Sequence, residues 1–237
     1  MQIQKTKAKH SELKKYWDTY VIMLMASLTV IVPITVYEDL IAVFLLYYIG
    51  ICIIVPLLDC ILLKRMNLRD FINFIGFDNR NVKKSLFIGI GHGLLFFTLT
   101  VAGFYIFKDF FMQSTIIENV KAWGVSNESK WILFVIMVLF NGIIEEIFWR
   151  GYTYGKLRKY TKKWLTIIIV TLFYTSYHLA TVLSFFKLNY LSIQVIFAVF
   201  AAGIVWGWMR FKYKNIRAST IGHSFATIGY MTVYLLL

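Results

Sequence analysis

The chain has 237 residues, of which 59% are hydrophobic, 18% aromatic and 16% charged, with a formal net charge of +13. Soluble chains run nearer half apolar and a quarter charged, so a soluble domain is excluded and the long apolar runs give a polytopic membrane protein. The positive balance does not point to nucleic acid, because the basic residues cluster between apolar runs.

Residues 1–15 form a basic, polar tail that includes His10. Seven apolar runs of about 20 residues follow, each long enough to cross a bilayer as a helix. They are Tyr16–Val36, Leu40–Leu63, Ser85–Phe107, Trp131–Trp149, Trp164–Leu183, Tyr190–Met209 and Ala218–Leu237. The first run is too long for a signal peptide and lacks a small-residue cleavage site, so it is expected to be a retained span. The link Tyr37-Glu38-Asp39 is short enough to make the first two spans a helical hairpin. Between the second and third, Phe71–Phe77 is apolar with flanking charges and is expected to lie at the membrane surface. Cys52 and Cys60 share one span and suggest neither a disulfide framework nor a metal site. There are no repeats, low-complexity tracts or Gly/Ser/Pro-rich linkers. The expected fold class is all-α, a bundle of about seven transmembrane helices. The chain divides into the tail (1–15), the N-terminal spans and loops (16–130) and a C-terminal core (131–237).

Placing Lys and Arg on alternate sides puts 21 on one side of the membrane and four (Lys108, Lys121, Lys130, Lys187) on the other. That asymmetry predicts a cytoplasmic N-terminus. The count treats Arg150 and Lys156 as loop residues.

The fourth run ends on Glu145-Glu146-Ile147-Phe148-Trp149-Arg150. Carboxylates in a membrane span are costly and mark function by default. On a helix, Glu146 and Arg150 share a face at the i,i+4 spacing and can neutralise each other, while Glu145 points elsewhere. A free carboxylate in a low-dielectric place suits a general base. Asn141, one turn earlier, shares the Glu145 face and could help hold a water or substrate. Two further histidines stand in later spans, His178 within Tyr174-Thr175-Ser176-Tyr177-His178 and His223 within His223-Ser224-Phe225-Ala226-Thr227. Alone, each reads as a structural polar contact. With Glu145 they make two imidazoles and a carboxylate on three spans, a set that holds a metal with an open position or a catalytic water without one. A third, His92, lies among glycines in Gly89-Ile90-Gly91-His92-Gly93 and reads as a packing contact between close helices.

These residues resemble the CPBP family of intramembrane endopeptidases, which includes CAAX proteases and bacteriocin-processing (Abi) enzymes. The family pattern E-E-x-x-x-R is met by Glu145, Glu146 and Arg150. The pattern F-x-x-x-H is met at His178, with Tyr174 in the aromatic place. The pattern H-x-x-x-N is met at His223, with Thr227 where asparagine is usual. The resemblance covers residues 131–237 and implies peptide-bond hydrolysis within the bilayer, with the site opening to the cytoplasm. It implies that Glu145 activates a water held with His178 and His223, that Glu146 and Arg150 fix the geometry, and that Asn141, Thr227 or a histidine stabilises the oxyanion. It leaves the cofactor open, either none or a divalent metal such as zinc on His178, His223 and Glu145. The expected partners are the lipid bilayer and a membrane-associated peptide or protein tail. The chain's composition looks bacterial, which favours peptide maturation or self-immunity over prenylated substrates. Two other classes stand beside this reading: a non-catalytic membrane scaffold or immunity partner of the same family, and a small carrier relaying protons.

One tension follows from the predicted boundaries. Glu145 lies about 7 Å from the end of its span, whereas His178 lies about 21 Å past the start of the next. The two meet only if a helix is longer or tilted, or if the bundle encloses water.

Overall fold

The computed structural model describes residues 2–77 and 79–237, with side chains from residue 17 onward. The side chain of His10 and those of the basic tail lie outside the described residues. All regular structure among the described residues is helical. Six helices are long and apolar enough to cross a membrane.

Helix α1 (Gln2–Val32) runs on through wide π-type turns over Pro33–Tyr37. Glu38 then takes a left-handed conformation at φ 52°, and Asp39 caps α2 (Leu40–Leu63) by accepting from the Ala42 amide at 2.9 Å. This is the hairpin that the three-residue link predicts. Helix α3 (Leu68–Ile75) is a short helix covering most of the Phe71–Phe77 stretch. Its start is capped by Asn67, which accepts from the Asp70 amide at 2.9 Å. Its stop is Gly76 at φ 86°. After α4 (Val82–Ile106) come two short helices, α5 (Lys108–Met112) and α6 (Ile116–Ala122). Helices α7 (Lys130–Leu157), α8 (Lys163–Phe186), α9 (Tyr190–Tyr213) and α10 (Arg217–Leu236) complete the bundle. The last is the seventh predicted span. Its hydropathy is diluted by Ser219, Thr220, Gly222, His223, Ser224 and Thr227, and it packs along α4. Outward faces carry residues such as Leu45, Leu94, Leu139, Leu172 and Phe197, each at least half exposed. An apolar exterior of that extent is what hydrocarbon solvates and water does not.

The boundary of α7 corrects the sequence reading. The helix does not stop at Trp149 but continues to Leu157, so Arg150 and Lys156 belong to the helix and are buried, not loop charges. Lys156 is held there by Asp18 of α1 at 2.6 Å and Asp59 of α2 at 3.2 Å. With this extension Glu145 sits twelve residues, about 18 Å, from the end of α7. His178 sits fifteen residues, about 22 Å, from the start of α8. The two depths now agree to within about one helical turn.

Helix α3 sets the level of α10. It packs on α7 at Gly151 and Gly155, where a Cβ would lie 3.0 Å from Ile75 and from Phe74. Small residues four apart let one helix seat directly on the other's backbone. The Ile216 amide then donates to the Gly76 carbonyl at 2.9 Å, and Arg210 Nε donates to the Arg150 carbonyl at 3.0 Å. So α10 begins near the level of Gly151. Six residues along α10 is His223, and six residues back along α7 is Glu145.

Candidate active site

The acidic pair occupies an α-helical turn, Gly142–Glu146, between two π-helical stretches of α7. Glu146 is fully buried and its Oε1 lies 3.0 Å from Arg150 Nη1, the i,i+4 pair expected from spacing. The guanidinium is wedged between aromatic faces, with Cζ 4.4 Å from the Tyr174 centroid and 5.3 Å from that of Trp206. Arg150 Nη2 donates to the Gly203 carbonyl at 3.4 Å. Taking two charges out of water costs several kcal/mol per ion, and only close pairing with additional contacts offsets it.

His223 joins the two acids. Its Nδ1 lies 3.2 Å from Glu146 Oε1 and its Nε2 lies 3.7 Å from Glu145 Oε2. The Asn141 amide nitrogen approaches the same Nε2 at 3.4 Å. A neutral ring with its proton on Nδ1 satisfies this pattern, donating to Glu146 and accepting from Asn141. The imidazole stacks on Trp206 at 4.3 Å and 17°. Asn141 also donates to Thr227 Oγ1 at 3.0 Å and to the Tyr230 hydroxyl at 3.2 Å.

Glu145 is 2% exposed. The sequence reading left it free, but two tyrosines face it. The Tyr177 hydroxyl donates to Oε2 at 2.7 Å, and the Tyr48 hydroxyl lies 3.5 Å from Oε1. Tyr48 makes its shorter bond, 2.5 Å, to Asn141 Oδ1. Helical divergence turns the two carboxylates apart on α7, yet one imidazole from α10 reaches both.

Six of the predicted residues (Asn141, Glu145, Glu146, Arg150, His223 and Thr227) thus form one buried network. His178 stands beside it. Its Nδ1 donates to the Tyr174 carbonyl at 2.9 Å, and its ring packs 4.2 Å from Tyr177 and 4.5 Å from Tyr174. Among the described residues it has no hydrogen bond to Glu145 or His223. His178 thus stands apart from His223 and Glu145, the other two residues of the expected metal set. No three His, Cys, Asp or Glu side chains among the described residues are grouped to hold a metal ion. The physical reason lies in the aromatics: Tyr174 packs against both imidazoles, and Tyr177 takes the Glu145 oxygen nearest His223.

Residues 127–229 match the model of a protein family, type II CAAX prenyl endopeptidase Rce1-like. Over this segment, a little under half of its length, the chain is similar to that family. Neither the curated proteins nor the solved structures give a match.

The Rce1-like segment holds all seven predicted site residues, but the site draws on more. Tyr48 comes from α2, outside the matched segment, and Tyr230 lies one residue beyond it. Tyr174, Tyr177 and Trp206 lie inside it; the sequence reading put Tyr174 only in the aromatic place of the second motif and assigned the other two no role. A faint signal exists for some of them. Tyr47-Tyr48 are adjacent hydroxyl-bearing residues in a largely aliphatic span, and Tyr174 and Tyr177 lead into His178 at helical spacing. A cleft of about 150 Å³ opens between α2 and α7. Its walls include Phe44, Ile49, Phe140 and Ile144, and it ends on Tyr48 and Asn141.

Proposed function

We propose that this protein is an intramembrane endopeptidase that hydrolyses peptide bonds of membrane-associated peptides or protein tails, using a water activated by Glu145. The observation that carries this reading is the buried approach of Glu145 Oε2 to His223 Nε2 at 3.7 Å, in a segment similar to prenyl endopeptidases.

In the proposed reaction, the Glu145 carboxylate takes a proton from a water in the space shared with His223. The hydroxide forms a bond to the scissile carbonyl carbon, and the carbonyl electron pair moves to oxygen. The N–H of Asn141 and the O–H of Tyr230 are the donors proposed for that developing oxyanion, with Tyr48 holding Asn141 through its Oδ1. Collapse breaks the C–N bond, and the proton held by Glu145 passes to the leaving amine. His223 is kept in one tautomer by Glu146, whose charge Arg150 balances. Thr227 accepts from the Asn141 amide and keeps its donors aimed at the site. His178, with its Nδ1 proton spent on Tyr174, offers the Nε2 lone pair to water or to the substrate's peptide N–H.

The apolar cleft ending on Tyr48 and Asn141 supports delivery of substrate from the hydrocarbon side. With Arg150 and Lys156 set aside as buried, a 19-to-4 charge bias still supports a cytoplasmic N-terminus, with the site opening to the cytoplasm of a bacterial cell. Maturation of a secreted peptide, or self-immunity against one, fits that setting. The test compares membrane peptides by mass spectrometry from cells making wild-type protein or Glu145→Gln. It is followed by cleavage of the candidate peptide with purified protein in lipid. Wild type should yield a product that Glu145→Gln, equally folded, does not, with a rate loss of about 100-fold or more. Equal product from both removes Glu145 from the mechanism. Binding without product from either leaves a non-catalytic partner.

A further inference from the structure

Helix α4 supplies nothing to the three motifs, yet it carries His92 against the back of the site. The ring lies on Phe96 at 4.5 Å and 30°. Its Nδ1 is buried and has no hydrogen-bond partner. The same is true of Trp206 Nε1, on a side chain that is only 2% exposed. Both nitrogens face one spot on α10, the bare backbone of Gly222. A Cβ there would lie 2.8 Å from His92 Nδ1 and 3.2 Å from Trp206 Nε1. The two nitrogens are therefore no more than about 6 Å apart and are not hydrogen-bonded to each other, which is within the reach of a single bridging water. Their chemistry is complementary: the indole N–H only donates, and an imidazole with its proton on Nε2 accepts at Nδ1. Buried polar atoms of opposite character facing a shared gap are where structural water is held.

We infer that His92 and Trp206 bind one buried water between them over Gly222, and that through it His92 acts as a positioning residue for His223. The second half follows from the stack of Trp206 on His223, whose ring reaches both acids. That half rests on the proposed peptidase reading. The first half does not. The bridge fixes the rotation of the indole, and the indole is the wall on which His223 lies.

The test uses full-length protein with ¹⁵N-labelled tryptophan in lipid nanodiscs, with the Trp206 indole signal assigned by Trp206→Phe. His92→Phe keeps the stack on Phe96 and removes the acceptor. It should shift the Trp206 indole N–H signal and abolish its cross-peak to water. His92→Asn, which returns an acceptor at the Nδ1 position, should restore both. Gly222→Ala, which fills the gap, should reproduce the His92→Phe shift where it folds. In a cleavage assay His92→Phe should lower kcat about fivefold, the worth of one ordinary hydrogen bond, at unchanged KM, with His92→Asn recovering it. An indole signal that is unmoved by His92→Phe, or that shows no water cross-peak in the wild type, overturns the water site. A moved signal with unchanged kcat in a protein that cleaves overturns the positioning role. A moved, rescued signal in a protein that never cleaves leaves the water site standing and sinks the peptidase reading instead.

Discussion

Arg150→Met is the perturbation that most directly tests how the site is held. It removes a charge that is 1% exposed and 3.0 Å from Glu146, while keeping a long apolar side chain between Tyr174 and Trp206. Glu146, at 0% exposure, is then left with only the uncharged contacts of His223 and Ser219. Removing one member of a buried pair costs about 3–5 kcal/mol, because the other stays buried and uncompensated. For a protein of this size that corresponds to a melting temperature lower by roughly 10 °C. Cys52 and Cys60 are fully buried, so a thiol-reactive dye reports the unfolding in detergent. The double variant Glu146→Gln/Arg150→Met deletes both charges and should recover more than half of the lost stability. It should not recover cleavage, because His223 Nδ1 no longer faces a carboxylate. An Arg150→Met protein within about 1 kcal/mol of wild type would refute this account of the pair. So would a double variant no more stable than the single one.

Tyr177→Phe removes the 2.7 Å bond to Glu145 and should cost about 2 kcal/mol by the same dye assay, together with a fall in kcat. An unchanged melting curve would argue that this hydroxyl does not hold the carboxylate. Thr227→Val leaves the Asn141 amide short of an acceptor, with an expected loss of about 1–3 kcal/mol, whereas Thr227→Ser should behave as wild type. Lys156→Met breaks the contacts that tie Asp18 and Asp59 to α7. Asp18 is half exposed and water screens that pair, so the expected loss is only about 1 kcal/mol with cleavage retained. Gly151→Val drives a side chain into Ile75 of α3 and should lower both stability, by about 1–3 kcal/mol, and activity, because α3 sets the starting level of α10. Loss of stability alone would separate α3 from the alignment of His223.

The fold was readable wherever a single helix decides the matter. Apolar run length located the helices, and Glu38-Asp39 located the hairpin. The charged flanks around Phe71–Phe77 marked α3 as something other than a span. Hydropathy failed at the two places where polar residues are matched by a neighbour. Helix α7 was ended at Trp149 because Arg150 and Lys156 look like loop charges, yet Glu146 and Asp18 with Asp59 satisfy them inside the bundle. In α10 the run of small and hydroxyl residues that weakens its apolar signal is also what lets it approach α7. A Cβ on Gly142 would stand 2.7 Å from Ser224 Oγ.

The site divides along the same line. Glu146 and Arg150 pair within one helix, so helical geometry alone predicted them. The contact of His223 with both acids depends on where α10 begins, and that is fixed by Gly76 and Gly151, residues with no chemistry of their own. The tyrosines are harder still. Tyr48, Tyr174, Tyr177 and Tyr230 are four of fifteen in the chain, and in a span a tyrosine reads first as a bulky apolar residue. What distinguishes these four is a hydroxyl or ring turned toward Glu145, Arg150 or Asn141, a property of four helices in register. The same register explains why His178 fails to meet Glu145. A histidine at the right depth but rotated toward its own Tyr174 carbonyl shares the level of the site without entering its network, and sequence spacing fixes depth more firmly than it fixes rotation.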